Sequence, residues 1–235
     1  MSIRINSNTV INSSTKMGPT TAAITDAILW DASSLTTDLR GNAITNSGVT
    51  VSTSIYTIGT QSALFNAAND LLTWPNNSNF YPGTQDFFYG IWARWTRYGS
   101  GNGSFIGGFG NGSGAGTFIV SQMNPSYFAT GISLNFPGSG SGYGNNYGSG
   151  YIASENVFHH VAVSRAGNVF RVFVDGTVRA TWTITGINIT SPFRIGSGWT
   201  TGDHLNGYAN AAQLVIGRPV VTSNFTITSP SYRVV

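Results

Sequence analysis

The chain has 235 residues, only 8% of them charged, and eleven basic against eight acidic side chains leave a formal charge of +3. An average domain carries about 25% charged residues. So thin a basic complement, with the single lysine Lys16, builds no phosphate-tracking stripe and argues against a nucleic-acid surface. The absence of cysteine excludes disulfides, thiolate zinc sites and a cysteine nucleophile, while 14 Phe, 10 Tyr and 6 Trp supply the apolar mass for one large core.

Residues 1–23 read as an extended N-terminal arm and linker, and residues 24–235 as one domain. In the arm, Ile3 to Asn12 alternates apolar and polar residues before giving way to a Ser/Thr/Gly/Pro stretch at 13–20. An exposed strand needs a partner for its backbone edge, so Ile3, Ile5, Val10 and Ile11 are expected to dock on another protein. Strand-forming residues then recur at Ala27–Trp30, Gly48–Ser54, Ala63–Asn66, Leu71–Trp74, Phe87–Thr96, Ser104–Gly108, Thr117–Gln122 and Ile132–Phe136. Two glycine-rich segments, 99–116 and 138–150, interrupt the pattern and contain neither phosphate-cradle spacing. From Phe158 to Trp182 the alternation predicts a three-stranded meander, with Val178, Ala180 and Trp182 on the face of Phe170, Val172 and Val174. Its hairpin is marked by Asp175-Gly176, since a type I′ turn needs positive φ at both positions. Phe193–Ile195, Gly207–Ile216 and Phe225–Thr228 complete the series, and many short strands between turn signals predict an all-β sandwich. No apolar run reaches the roughly 18 residues of a membrane span. The N-terminus lacks a signal-peptide pattern, so the expectation is a protein made in the cytoplasm that either stays there or leaves the cell without the general secretion route, with no membrane partner.

Candidate chemistry is sparse. No two acidic residues lie two apart, and the single Glu155 falls in a predicted turn, so the carboxyl pair of a glycosidase has no sequence candidate. His159 and His160 are neighbours on one strand; their side chains point to opposite faces and cannot hold one metal. No Ser/His/Asp convergence is visible. A sugar site asks for an aromatic platform and a few directed hydrogen bonds. Tyr143, Tyr147, Trp199, Asp203 and His204 occupy predicted loops and could supply these to a glycan or to a neighbouring subunit, whereas Trp30, Trp74, Trp92, Trp95 and Trp182 read as core.

Three blocks carry a resemblance. They are Ala27–Asp31 with Asp38–Asn42 and Val49–Ser52; Ser62–Thr73 with Phe87–Arg94; and Phe158–Arg165 with Phe173–Gly176, Arg194–Ser197 and Leu205–Tyr208. Together they resemble the laminin G-like, concanavalin A-like lectin/glucanase superfamily over roughly residues 25–220. The resemblance implies a two-sheet antiparallel jelly-roll sandwich and a buried, hydrogen-bonded His160. It also implies a calcium option, for which Asp70 and Asp203 are the oxygen donors, although Asp70 reads first as a cap for turn amides; no other cofactor is implied. Glucanases of this superfamily carry an acidic E-x-D-x-x-E strand, which is missing here. The arm Ile3–Ile11, with Ser7 where glycine is usual, is similar to N-terminal segments of tailed-bacteriophage fibre and appendage proteins. The leading expectation is therefore a non-enzymatic structural protein on a virion surface, homo-oligomeric and docked by its arm to other virion proteins. A host-glycan-binding module is the alternative, and a glucanase the third reading.

Overall fold

Alternating Val, Ile, Thr and aromatic residues favour pleated backbone, whose free N–H and C=O groups must then find ladder partners. The computed structural model describes residues 4–5, 9–10, 26–96, 103–110, 116–123, 131–136, 145–196 and 204–227. In chain order these carry β1 (Arg4–Ile5), β2 (Thr9–Val10), β3 (Asp26–Asp31), β4 (Thr45–Ser47), β5 (Thr50–Ser52), β6 (Ser62–Phe65), β7 (Leu71–Thr73), β8 (Phe87–Trp95), β9 (Gly103–Phe109), β10 (Phe118–Met123), β11 (Gly131–Phe136), β12 (Asn145–Gly148), β13 (His159–Ala166), β14 (Val169–Val174), β15 (Thr177–Thr183), β16 (Phe193–Ile195) and β17 (Gly207–Ile216). A seven-stranded sheet runs β12-β11-β10-β9-β16-β7-β4. An eight-stranded sheet runs β15-β14-β13-β8-β17-β6-β5, with β3 added against β17. Every ladder is antiparallel, and the two sheets pack face to face as the expected sandwich.

One core lies between the sheets. Strand β8 sends Phe87, Tyr89, Ile91, Ala93 and Trp95 inward to meet Ile106, Phe109, Phe118, Leu134 and Phe193 of the facing sheet. Edge-on aromatic contacts tie the layers together, as in Trp30–Trp74 at 6.2 Å and Tyr89–Phe193 at 5.3 Å between ring centres. Gly107 permits this closeness: a Cβ there would collide with the Tyr89 hydroxyl reaching across from the other sheet.

Four expectations need correction. The arm pairs Arg4 with Val10 and Ile5 with Thr9 as its own two-stranded sheet, a short hairpin in place of one extended strand; Ile3 and Ile11 lie outside the described residues. In the meander, the register slips between Val172 and Phe173. This bulge turns Val178 to the outer face, opposite Phe173, while Ala180 and Trp182 stay on the inner one. Phe225 to Ile227 form no strand. They belong to an irregular strap in which Val220, Val221 and Phe225 cover an outer cluster of Phe88, Ala162, Phe173 and Val215. Finally, β12 pairs within a segment expected to be a glycine-rich loop.

Candidate functional site: an aromatic groove beside the strap

Asp175 and Gly176 adopt φ of 51° and 76°, the left-handed pair expected of this hairpin. That turn places the Asp175 carboxylate over the start of β13. Its Oδ1 accepts the His160 amide at 2.9 Å and its Oδ2 faces His159 Nδ1 at 2.7 Å. Burial pushes the Asp175 carboxyl up, but these two hydrogen bonds and the charges of both imidazoles outweigh it and hold the group below its ordinary value. The carboxylate is ionised at neutral pH, and its side chain is 43% exposed.

The far side of the His159 ring meets Ser154, whose Oγ lies 2.9 Å from Nε2. Ser154, His159 and Asp175 thus converge where the sequence showed no convergence, in the order of nucleophile, base and orienting acid. The Ser154 carbonyl, however, also stands 3.2 Å from the same Nε2. The ring thus meets, on its two edges, the two segments it joins, the 154 loop and the β14–β15 turn. The sequence signal for this junction was the pair His159 and Asp175, 16 residues apart across a tight hairpin.

His160 points the other way, as strand alternation requires. It is buried between Trp92, at 5.4 Å, and Phe225 of the strap, at 6.0 Å between ring centres. Desolvation lowers its pKa to about 4 against an opposing pull from Asp175, so the ring is neutral at physiological pH.

Above this layer opens a groove of about 590 Å³, lined by Trp92, Val157, Phe158, His159, Asp175, Phe225, Thr226 and Ile227. Trp92 was expected in the core; it occupies the outer face because β8 alternates and Ile91 and Ala93 take the inner positions. Its indole Nε1 has no hydrogen-bond partner. Among the described residues lining the groove, Asp175 carries the one carboxyl group.

Tyr147 and His204, the two glycan candidates among the described residues, do not line this groove. Tyr147 sits on β12 and packs against Phe136 and Trp182 at the core margin. His204 is partly buried beside Leu205 and is not among the groove residues. Tyr143, Trp199 and Asp203 lie outside the described residues. Asp70 is buried, and its Oδ2 accepts the Asn66 and Ala67 amides at 2.7 and 2.9 Å, the turn-capping role. Those bonds occupy one of its two carboxylate oxygens, and among the described residues no three His, Cys, Asp or Glu side chains are placed to hold a metal.

Residues 66–214 match the family model Laminin_G_3, described as the concanavalin A-like lectin/glucanases superfamily. The chain belongs to this family. Among solved structures, it is similar to domain 4 of AbnA, a GH43 extracellular arabinanase from Geobacillus stearothermophilus, in complex with arabinotriose. That likeness has a TM-score of 0.61 at 13% identity and covers 83% of this chain and 94% of that one. The binding domain of Paraclostridial Mosquitocidal Protein 1 gives 0.59 at 13% identity over 83% of this chain and 49% of that one. Trypanosoma rangeli sialidase in complex with sialic acid gives 0.55 at 15% identity over 84% and 32%. No curated protein matches the sequence. At such identities the likeness extends to the fold alone.

Proposed function

We propose that the sandwich is a carbohydrate-binding module that makes and breaks no bonds. The groove carries this reading. Trp92, Phe158 and Phe225 offer apolar faces to the C–H side of a sugar ring, and the ionised Asp175 carboxylate accepts from its hydroxyls. The arabinotriose complex of domain 4 of AbnA makes neutral oligosaccharides the first ligands to try. On a glycan array that includes arabino-oligosaccharides, the intact chain is expected to bind a subset, and Trp92→Ala and Phe158→Ala to weaken that binding at least tenfold. Both side chains are on the outer face, so circular dichroism should show the fold intact. Wild-type affinity in both variants would remove the groove from consideration.

A second reading rests on the arm. Strands β1 and β2 pair with each other and contribute nothing to either sheet of the sandwich, as suits a detachable docking element. We infer a virion structural protein, homo-oligomeric, anchored through residues 1–23 and displaying the sandwich at the particle surface, where it would meet host glycans. Deleting residues 1–23 should leave a folded sandwich that no longer joins particles; retained incorporation would reject the docking role.

A further inference from the structure

The groove lies on the eight-stranded sheet. A separate feature stands on the outer face of the other sheet. Register places Thr45 opposite Thr73, Thr73 opposite Arg194, and Arg194 opposite Gly108, one line crossing β4, β7, β16 and β9. The line faces outward, because the alternating neighbours Leu72, Phe193 and Ile195 are fully buried in the core. Adjacent strands are about 4.8 Å apart, so the backbone positions of Thr45, Thr73 and Arg194 follow one another at that spacing. Gly108 adds no side chain beyond them.

Arg194 is partly buried, and its Nε is shielded from solvent without a hydrogen-bond partner. Among the described residues no carboxylate pairs with it, and burial alone pulls its pKa below the usual arginine value. Other arginines are engaged: Arg165 donates to the carbonyls of Gly167, Gly83 and Ile187, Arg94 to that of Asn156, and Arg179 lies 3.8 Å over the Tyr151 ring. Arg171, Arg179 and Arg218 each keep a bare nitrogen as well, but Arg171 stands between the fully buried Ser164 and the exposed Thr181, and of these four arginines Arg194 is the one followed in register by two threonines, Thr73 partly exposed and Thr45 exposed. A shielded cation without a counter-charge is costly. A guanidinium offers donors alone and a hydroxyl can donate beside it, a set best matched by a ligand that brings acceptor oxygens and negative charge.

We propose that Thr45, Thr73 and Arg194 form a subsite for an oxyanion, a carboxylate or sulfate carried on a sugar chain that crosses the strands of the seven-stranded sheet. The sugar part of this inference rests on the carbohydrate-binding reading; the anion part stands on Arg194 alone. The test is calorimetric titration of the intact chain with trigalacturonate, its methyl ester, and a sulfated galactose trimer. At least one acidic trimer should bind, the better of the two identifying the anion. Arg194→Gln should weaken it tenfold or more, Thr73→Val about threefold, and Arg194→Lys, which keeps the charge but loses the planar fork, by an intermediate factor. Trp92→Ala should leave it unchanged, which separates this subsite from the groove. Equal binding of the methyl ester, unchanged affinity in Arg194→Gln and Thr73→Val, or no binding of either acidic trimer would overturn the proposal.

Discussion

At the scale of single residues, two buried polar groups set measurable behaviour. The Tyr89 hydroxyl is buried without a partner against Gly107, and burial raises its pKa well above the ordinary tyrosine value, so it stays neutral. An unsatisfied buried hydroxyl costs about 1–3 kcal/mol in desolvation. Tyr89→Phe removes that penalty and keeps the ring, so the variant should match or exceed the wild type in urea unfolding; a loss of 1 kcal/mol or more would mean that the hydroxyl is bonded. His160 acts in the opposite sense. Its folded pKa of about 4 lies below the unfolded value near 6.5. Above pH 6.5 both states are neutral and the group contributes nothing to pH dependence. As pH falls towards 4, the unfolded chain takes up a proton that the folded one refuses, and stability drops by a total on the order of 3 kcal/mol. The charged group facing it is Asp175, with His159 on that carboxylate's other oxygen. Unfolding midpoints at pH 7.5, 5.5 and 4.5 should decline in wild type and decline less in His160→Leu.

At the scale of elements, the strap is the piece most dependent on a few contacts. It is held by the Phe225 amide donating to the Gly176 carbonyl at 2.9 Å, the Val178 amide donating to Asn224 Oδ1 at 2.8 Å, and the Phe225 ring on Phe173 at 5.4 Å. Gly176 has φ +76°, and a Cβ there would strike the Phe225 carbonyl. Gly176→Ala therefore strains the turn and displaces the strap together, and Phe225→Ala uncovers the outer cluster for about 2 kcal/mol, below the cost of a fully buried ring. Hydrogen exchange should show faster exchange at Val178 and Phe225 in both variants while the β8–β17 ladder stays protected. Uniform acceleration across the sandwich would show the strap to be integral to the core. The same elements show what could be read in the chain beforehand. Strands β8, β13, β14 and β17 were legible because one face is regularly apolar, and the Asp175-Gly176 turn because its backbone demands those residues. Val178 was misplaced because a bulge breaks the period of two that the reading assumed. Phe225–Thr228 has strand-forming residues, but its described part, Phe225 to Ile227, lies over a sheet face, where no free edge offers hydrogen bonds. The groove was not legible at all: Trp92, Asp175 and Phe225 come from a strand, a turn and a strap that only the fold brings together.

For the molecule as a whole, the scarcity of charge has a thermodynamic consequence. Among the described residues, its buried carboxylates take hydrogen bonds from neutral donors. Asp38 takes the amides of Arg40 and Asn42, the Asn42 side chain and, at 3.0 Å, the Trp74 indole; Asp26 takes the Gln213 amide at 2.7 Å. Asn210 works likewise without charge, joining the 57–61 loop to β17 through bonds to Thr57, Ile58 and Gln61. Exposed ion pairs weaken with salt because the Debye length shrinks from about 10 Å at 0.1 M to 3 Å at 1 M. Buried hydrogen bonds and apolar contacts are not screened in this way. Thermal midpoints measured at pH 7.5 between 0.05 and 0.5 M sodium chloride should therefore stay within about 2 °C, the shift that roughly 0.5–1 kcal/mol produces in a domain of this size. Binding should respond differently at the two surfaces: the groove's affinity for a neutral sugar should be as insensitive as the fold, and an acidic trimer at Arg194 should lose affinity over the same salt range. A midpoint that falls steeply with salt would show that the few charged side chains hold the sandwich together, and that the neutral hydrogen-bond network is secondary.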